Sequence, residues 1–117
     1  MNANKEIFNK LVRDKIPEII IKNGDTPETQ ILDDETYLKR LNEKLLEECN
    51  EYISAENSAE KAEELADVLE VLYAIIDVQG LQKDEIEAIR EQKKEKRGAF
   101  KDKILLVSTI SNNDKQK

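Results

Sequence analysis

Apolar side chains recur every three or four residues along the middle of this chain, which is the spacing of one face of an α-helix. The pattern begins after Asp33 or Asp34, either of which can cap a helix, and it runs to about Glu56. The apolar positions of this stretch are Leu38, Leu41, Leu45, Cys49 and Tyr52. We therefore predict an amphipathic helix here, with one face on the core.

A further helix is predicted over residues 59–79, with Ser58 as its N-cap and Gly80 as the left-handed residue after its end. The second half of this helix is apolar around most of its circumference, at Leu65, Val68, Leu69, Val71, Leu72, Ile75 and Ile76. It should therefore be the most buried helix of the fold. The short connection over residues 54–58 favours an antiparallel arrangement with the preceding helix.

Two shorter helices flank this pair. One carries Pro17 in its first turn and ends near Gly24, and the other runs from Asp84 to Gly98 through a strongly charged stretch. We predict an all-α fold, a helical bundle of antiparallel helices completed by oligomerisation. The oligomer, a homodimer or homotetramer, is expected because one chain offers too few elements to cover helix 59–79.

The chain length of 117 residues fits a single domain, which we place in residues 1–110. Residues 111–117 are polar and are predicted to form a disordered C-terminal tail. The apolar run over residues 104–107 precedes this tail and has no clear structural pattern. We see no internal repeat.

Composition removes several classes of function. The net charge of −7 argues against nucleic acid as a partner, because such binding draws on a basic surface. The chain has no histidine, which excludes serine–histidine and cysteine–histidine catalysis. No stretch approaches the roughly 20 apolar residues that span a bilayer, so no membrane association is expected. The single cysteine, Cys49, cannot form an intramolecular disulfide, which suits a cytoplasmic protein.

Two pairs of acidic residues carry the chemical signal of the sequence. Glu48 and Glu51 are three positions apart on one predicted helix, and Glu64 and Asp67 are three apart on the next. Residues at this spacing project together, so antiparallel helices would bring all four carboxylates to one place. Oxygen ligands of this kind suit Mg²⁺. An interhelical layer of salt bridges that uses Lys44 or Lys61 is the alternative that the pattern leaves open.

The sequence around these acids resembles that of a known family. Glu47-Glu48-x-x-Glu51 followed by Glu64-x-x-Asp67 is similar to the EExxE…ExxD signature of the all-α NTP pyrophosphohydrolases, which include MazG-like proteins. The stretch Asn9-Lys-Leu-Val-Arg-Asp-Lys-Ile-Pro resembles a subgroup described as phosphoribosyl-ATP pyrophosphohydrolase-like. The resemblance covers about residues 7–107.

This resemblance implies Mg²⁺-dependent cleavage of a nucleotide substrate between its α- and β-phosphates, with Mn²⁺ as a possible substitute metal. The four acids Glu48, Glu51, Glu64 and Asp67 would hold the metal, and Glu47 or Glu48 would accept a proton from the attacking water. Cations for the substrate phosphates would be Lys10, Arg13, Lys94 and Arg97. The cations near residue 97 are also typical of a solvated helix end.

Three functions follow as hypotheses. The first is a house-cleaning enzyme that hydrolyses non-canonical nucleoside triphosphates to a monophosphate and pyrophosphate. The second is the phosphoribosyl-ATP pyrophosphohydrolase of histidine biosynthesis, which shares the acidic motif. The third is a helical interaction module without catalysis, in which the acids are surface charges. Binding of Mg²⁺ near the acids would separate the first two from the third.

Overall fold

The computed structural model describes residues 4–112, and within that range the chain is helical and has no strand. The four helices are α1 (Ile16–Lys22), α2 (Asp34–Ser54), α3 (Ser58–Val78) and α4 (Lys83–Arg97). Each begins and ends within a few residues of the bounds predicted from the sequence. The prediction of an all-α chain is confirmed.

The start of α2 and its buried face follow the sequence pattern. The side chain of Asp33 accepts a hydrogen bond from the backbone N–H of Thr36 at 2.8 Å, which caps the helix. This bond lowers the pKa of the Asp33 carboxyl, because it favours the charged form. Leu41 is buried at 3% exposure, and the other members of the apolar stripe are half-buried. The amphipathic helix was therefore predicted correctly.

The cap of α3 differs from the prediction. Asn57, rather than Ser58, is the N-cap, and its side chain accepts a hydrogen bond from the backbone N–H of Glu60 at 2.9 Å. The backbone of Asn57 is extended, with φ −136° and ψ 169°, whereas Ser58 already lies in the helix. Both residue types cap helices well, so local preference could not choose between neighbours. Gly80 adopts φ +75° after the helix, as predicted.

Helices α2 and α3 pack against each other across a link of three residues. The Lys61 Nζ lies 5.1 Å from the ring centroid of Tyr52 near the link, and Glu64 lies beside Glu48 farther from it. This packing places one face of α2 against one face of α3.

The burial of α3 is smaller than predicted. Within the described chain only Val71 of this helix is buried, at 7% exposure. Apolar side chains on its other faces are exposed, namely Leu65, Leu69, Leu72 and Tyr73. The prediction that α3 is the most buried helix is therefore not met in a single chain, because α2 covers only one side of it.

The described residues fall into two compact units. The first, residues 4–83, contains α1, α2 and α3, and the second, residues 84–112, contains nearly all of α4 and a segment without helix. In this segment the apolar run over residues 104–107 is exposed. The single domain over residues 1–110 stays a prediction, and residues 113–117 of the predicted tail lie outside the described residues. None of the four helices is long and apolar enough to cross a bilayer.

Candidate metal and nucleotide site

Three of the predicted metal-binding acids lie together on the packed faces of α2 and α3. Glu48 and Glu51 come from α2 and Glu64 from α3, and each offers a carboxylate oxygen within 4.8 Å of the others. The three-residue spacing in α2 places its two acids on one face, and the packing of α3 adds the third. We call these three residues the carboxylate cluster.

Two oxygens of the cluster are buried without a partner. Glu48 is only 7% exposed, and its Oε1 has no hydrogen-bond partner within the described part of the chain. The Oε1 of Glu64 is likewise buried and has no hydrogen-bond partner among the described residues. Burial of a charged oxygen is costly unless a cation or a donor compensates it. The cluster therefore has the oxygen chemistry and the unmet charge that a divalent cation would satisfy.

The electrostatics of Glu64 point the same way. Burial raises the pKa of the Glu64 carboxyl above its ordinary value, and the negative charges of Glu51, Asp67 and Glu48 raise it further. A hydrogen bond with Glu51 adds to the effect. The cluster thus repels its own charge, and a bound cation would remove that repulsion.

The fourth predicted ligand, Asp67, lies outside the cluster and is held by an arginine. Arg13 Nη2 donates a hydrogen bond to Asp67 Oδ1 at 2.7 Å, and both side chains are partly exposed. Arg13 is 54 residues away in the sequence. The N-terminal segment, residues 4–15, therefore brings a predicted phosphate-binding cation directly to a predicted metal ligand.

Glu47 stands beside the cluster and pairs with two lysines. Its Oε2 lies 3.6 Å from Lys10 Nζ, and its Oε1 lies 3.6 Å from Lys44 Nζ. Lys44 also lies 3.4 Å from Glu48 Oε2. Glu47 is half-exposed, so its carboxylate is open to solvent at the edge of the site.

The interhelical salt-bridge layer is present only in part. Lys44 contacts acids of its own helix, in the i,i+3 and i,i+4 positions, and not acids of α3. Lys61 donates instead to the carbonyl oxygen of Tyr52 at 3.4 Å and lies over the Tyr52 ring. Neither lysine reaches the unpartnered oxygens of Glu48 and Glu64. Lys44 thus pairs with one oxygen of Glu48, but within the described residues the buried Oε1 atoms of Glu48 and Glu64 have no lysine partner.

The other two predicted phosphate-binding residues, Lys94 and Arg97, lie in the second unit. They line a groove there together with residues 98–104. Gly98, at φ +83°, ends α4 and turns the chain into this groove. Their role toward the substrate stays a prediction.

Sequence reasoning did not find a second groove, which lies between the N-terminal segment and α2. Its lining is formed by Phe8, Asn9, Lys10 and Leu11 on one side and by Arg40, Glu43, Lys44 and Glu47 on the other. The four α2 residues follow the i, i+3, i+4, i+7 pattern of one helix face. That spacing is visible in the sequence, but the segment that faces it is not.

Comparison with known proteins places the chain in a family. A family model described as phosphoribosyl-ATP pyrophosphohydrolase matches residues 6–94, about three quarters of the chain. This range includes the N-terminal segment and both acidic pairs. No curated protein and no solved structure is similar enough to count as a match. The chain belongs to the phosphoribosyl-ATP pyrophosphohydrolase family, within the all-α NTP pyrophosphohydrolase superfamily.

Proposed function

We propose that this chain is a Mg²⁺-dependent nucleoside triphosphate pyrophosphohydrolase that cleaves between the α- and β-phosphates. Its products would be a nucleoside monophosphate and pyrophosphate, and its role the removal of non-canonical nucleotides. The family supports nucleotide pyrophosphohydrolase activity. The observation that supports a metal site is the pair of buried, unpartnered carboxylate oxygens on Glu48 and Glu64.

Glu48, Glu51 and Glu64 would hold the cation, and Asp67 would join them once it leaves Arg13. Mg²⁺ in this place would offset phosphate charge and activate the attacking water. The ion pair between Arg13 and Asp67 is partly exposed, and such pairs are weak enough to exchange. Mn²⁺ would substitute, since it accepts the same oxygen ligands.

Glu47 is the carboxylate that we propose accepts the water's proton, with Glu48 as the alternative. Glu47 stands next to the cluster, is half-exposed and has oxygens within reach of solvent. Glu48 is buried, and its oxygens belong to the cluster and to the contact with Lys44. A general base needs access to the water, which favours Glu47.

The substrate phosphates would be bound by Lys10 and Arg13. Both residues contact acids at the edge of the site, so their charges are already beside the place where phosphates would lie. Arg13 offers a planar guanidinium that binds phosphate through two hydrogen bonds. Lys94 and Arg97 are proposed as further phosphate ligands on the strength of their charge alone.

The test is a screen for pyrophosphate release with canonical and modified nucleoside triphosphates and phosphoribosyl-ATP, in Mg²⁺ and in EDTA. We expect Mg²⁺-dependent release from one or more modified triphosphates and no release in EDTA. The wild-type protein and a Glu64→Gln variant form the matched pair. Absence of release from every substrate would refute the proposed function.

The second candidate is hydrolysis of phosphoribosyl-ATP itself. The description of the matching family favours it. Phosphoribosyl-ATP carries the same phosphoanhydride bond, so the same acids would serve. A preference for phosphoribosyl-ATP over every triphosphate in the screen would select this candidate. A chain that binds no Mg²⁺ and hydrolyses neither would instead be a helical interaction module.

We also propose that the antiparallel α2–α3 pair is completed by self-association into a homodimer or homotetramer. The exposed apolar side chains of α3, Leu65, Leu69 and Leu72, support this. These leucines recur at spacings of four and three residues, so they lie on one face of α3 that a second chain could cover.

A further inference from the structure

The groove between the N-terminal segment and α2 has the size and the wall chemistry of a small-molecule site. It has a volume of about 450 Å³ and is open to solvent. Binding sites for small ligands occupy roughly 300–1,000 Å³ and combine apolar surface with a few polar groups. The groove carries both, since Phe8 and Leu11 are apolar and Asn9, Lys10 and Arg40 are polar.

One end of the groove lies next to the carboxylate cluster. Lys44 and Glu47 line the groove, and Lys44 also lies 3.4 Å from Glu48 of the cluster. A molecule with one end on the cluster would therefore extend directly into the groove. The proposed substrate has this shape, because its phosphates are at one end and its nucleoside at the other.

Phe8 supplies a group that a nucleobase would bind. The Phe8 side chain is 64% exposed although an aromatic ring is strongly favoured in a buried position. Base–aromatic stacking needs an open ring face of this kind and contributes about 1–3 kcal/mol per base.

The backbone next to Phe8 is unusual. Asn9 has φ +46°, a left-handed conformation that is uncommon outside glycine and that asparagine adopts more readily than most other residues. Such conformations recur at ligand sites, where the surrounding structure holds them. Here it sets the direction of the chain between Phe8 and Lys10, two residues that line the groove.

We propose that this groove binds the nucleoside part of the substrate nucleotide, with the Phe8 ring as the stacking surface for the base. The proposal rests on the proposed function, because it takes the phosphates to lie at the carboxylate cluster. Phe8 is then a residue that determines affinity for the nucleoside.

The experiment compares wild type with Phe8→Leu and Phe8→Trp by calorimetry in Mg²⁺. The probes are the four common nucleoside monophosphates and inorganic pyrophosphate. Phe8→Leu should weaken monophosphate binding by about 5- to 150-fold, the loss of one stacking contact, and leave pyrophosphate binding unchanged. Phe8→Trp should retain monophosphate binding, since the ring is kept.

Ile31→Ala is the control. Ile31 is 97% exposed at a loop position and lines neither groove. Its replacement should leave both affinities as in wild type. Equal monophosphate affinity in Phe8→Leu and Ile31→Ala would overturn the proposal, and so would an equal loss of pyrophosphate binding in Phe8→Leu.

These binding measurements are independent of turnover. Suppose that the wild type releases pyrophosphate from no nucleotide, and that Phe8→Leu binds monophosphates more weakly than the wild type does. The groove proposal then stands and the proposed function fails. If the wild type is an active pyrophosphohydrolase and Phe8→Leu binds monophosphates normally, the reverse holds.

Discussion

The carboxylates of Glu48, Glu51, Glu64 and Asp67 are separate in the sequence but act on one another in the fold. Three form the cluster, and the charge of the fourth reaches Glu64. Replacement of any one by its amide or by alanine should reduce pyrophosphate release by about 100-fold or more, the scale at which one preorganised electrostatic group acts. Steady-state assays in Mg²⁺ measure this. Retention of more than a tenth of wild-type activity by all four variants would contradict it.

The sign of a stability change at Glu64 separates a metal site from a salt bridge. Glu64→Gln should raise the melting temperature of the metal-free chain at neutral pH, because it removes a partly buried charge that its neighbours repel. A salt-bridge partner would instead lower it. Thermal melts in EDTA and in Mg²⁺ make the comparison, with the exposed neighbour Glu63→Gln as control. A melting temperature below that of wild type in EDTA would count against the metal site.

The gain in melting temperature from Glu64→Gln should also depend on pH. The pKa of this carboxyl is raised in the folded chain, so the folded state binds the proton more tightly than the unfolded state. Its contribution to stability is therefore present below the ordinary value of 4.5 and is lost as pH rises through the raised value. The difference in stability between variant and wild type should be largest at neutral pH, should shrink as pH falls through the raised value, and should be absent below 4.5. Melts in EDTA across this range test the sign.

Arg13 competes with the metal for Asp67. Arg13→Gln should tighten Mg²⁺ or Mn²⁺ binding by about 1.4- to fivefold, since an exposed ion pair is worth about 0.2–1 kcal/mol. The same variant should weaken pyrophosphate binding to the metal-loaded protein. Calorimetry measures both affinities. Arg90→Gln, which breaks a pair with Glu87 within α4, is the control and should change neither. Unchanged metal affinity in Arg13→Gln would exclude the competition.

At the scale of the element, the start of α3 depends on one side chain. Asn57→Ala should lower the free energy of unfolding by about 1 kcal/mol, because the N–H of Glu60 loses its acceptor. Ser58→Ala should have little effect, since Ser58 lies inside the helix and the cap bond comes from Asn57. Denaturant unfolding of the two variants measures the difference. A larger loss in Ser58→Ala would show that the cap lies one residue later.

At the scale of the whole molecule, the exposed apolar face of α3 predicts an oligomer. Light scattering should give at least twice the chain mass of 13.5 kDa at micromolar concentration. Leu69→Glu should shift the population toward monomer, because it places a charge on that face, where Leu69 is 49% exposed. Ile31→Glu is the control, at a loop position that is 97% exposed. A monomeric wild type would refute the prediction.

The sequence by itself determined the helices and the chemistry that they carry. Helical periodicity is local, so spacings of three and four residues placed Leu41 on the core and kept Glu48 beside Glu51. The acidic motif then identified the family, which the match to residues 6–94 confirms.

Only the tertiary structure decided which groups meet. It placed Glu64 beside Glu48 and Glu51, paired Asp67 with Arg13, and formed the groove beside Phe8. It also left one side of α3 uncovered, where the sequence had predicted burial. The reason is the same in each case: these contacts join segments far apart in the chain, and periodicity states which face a residue occupies but not what lies against that face.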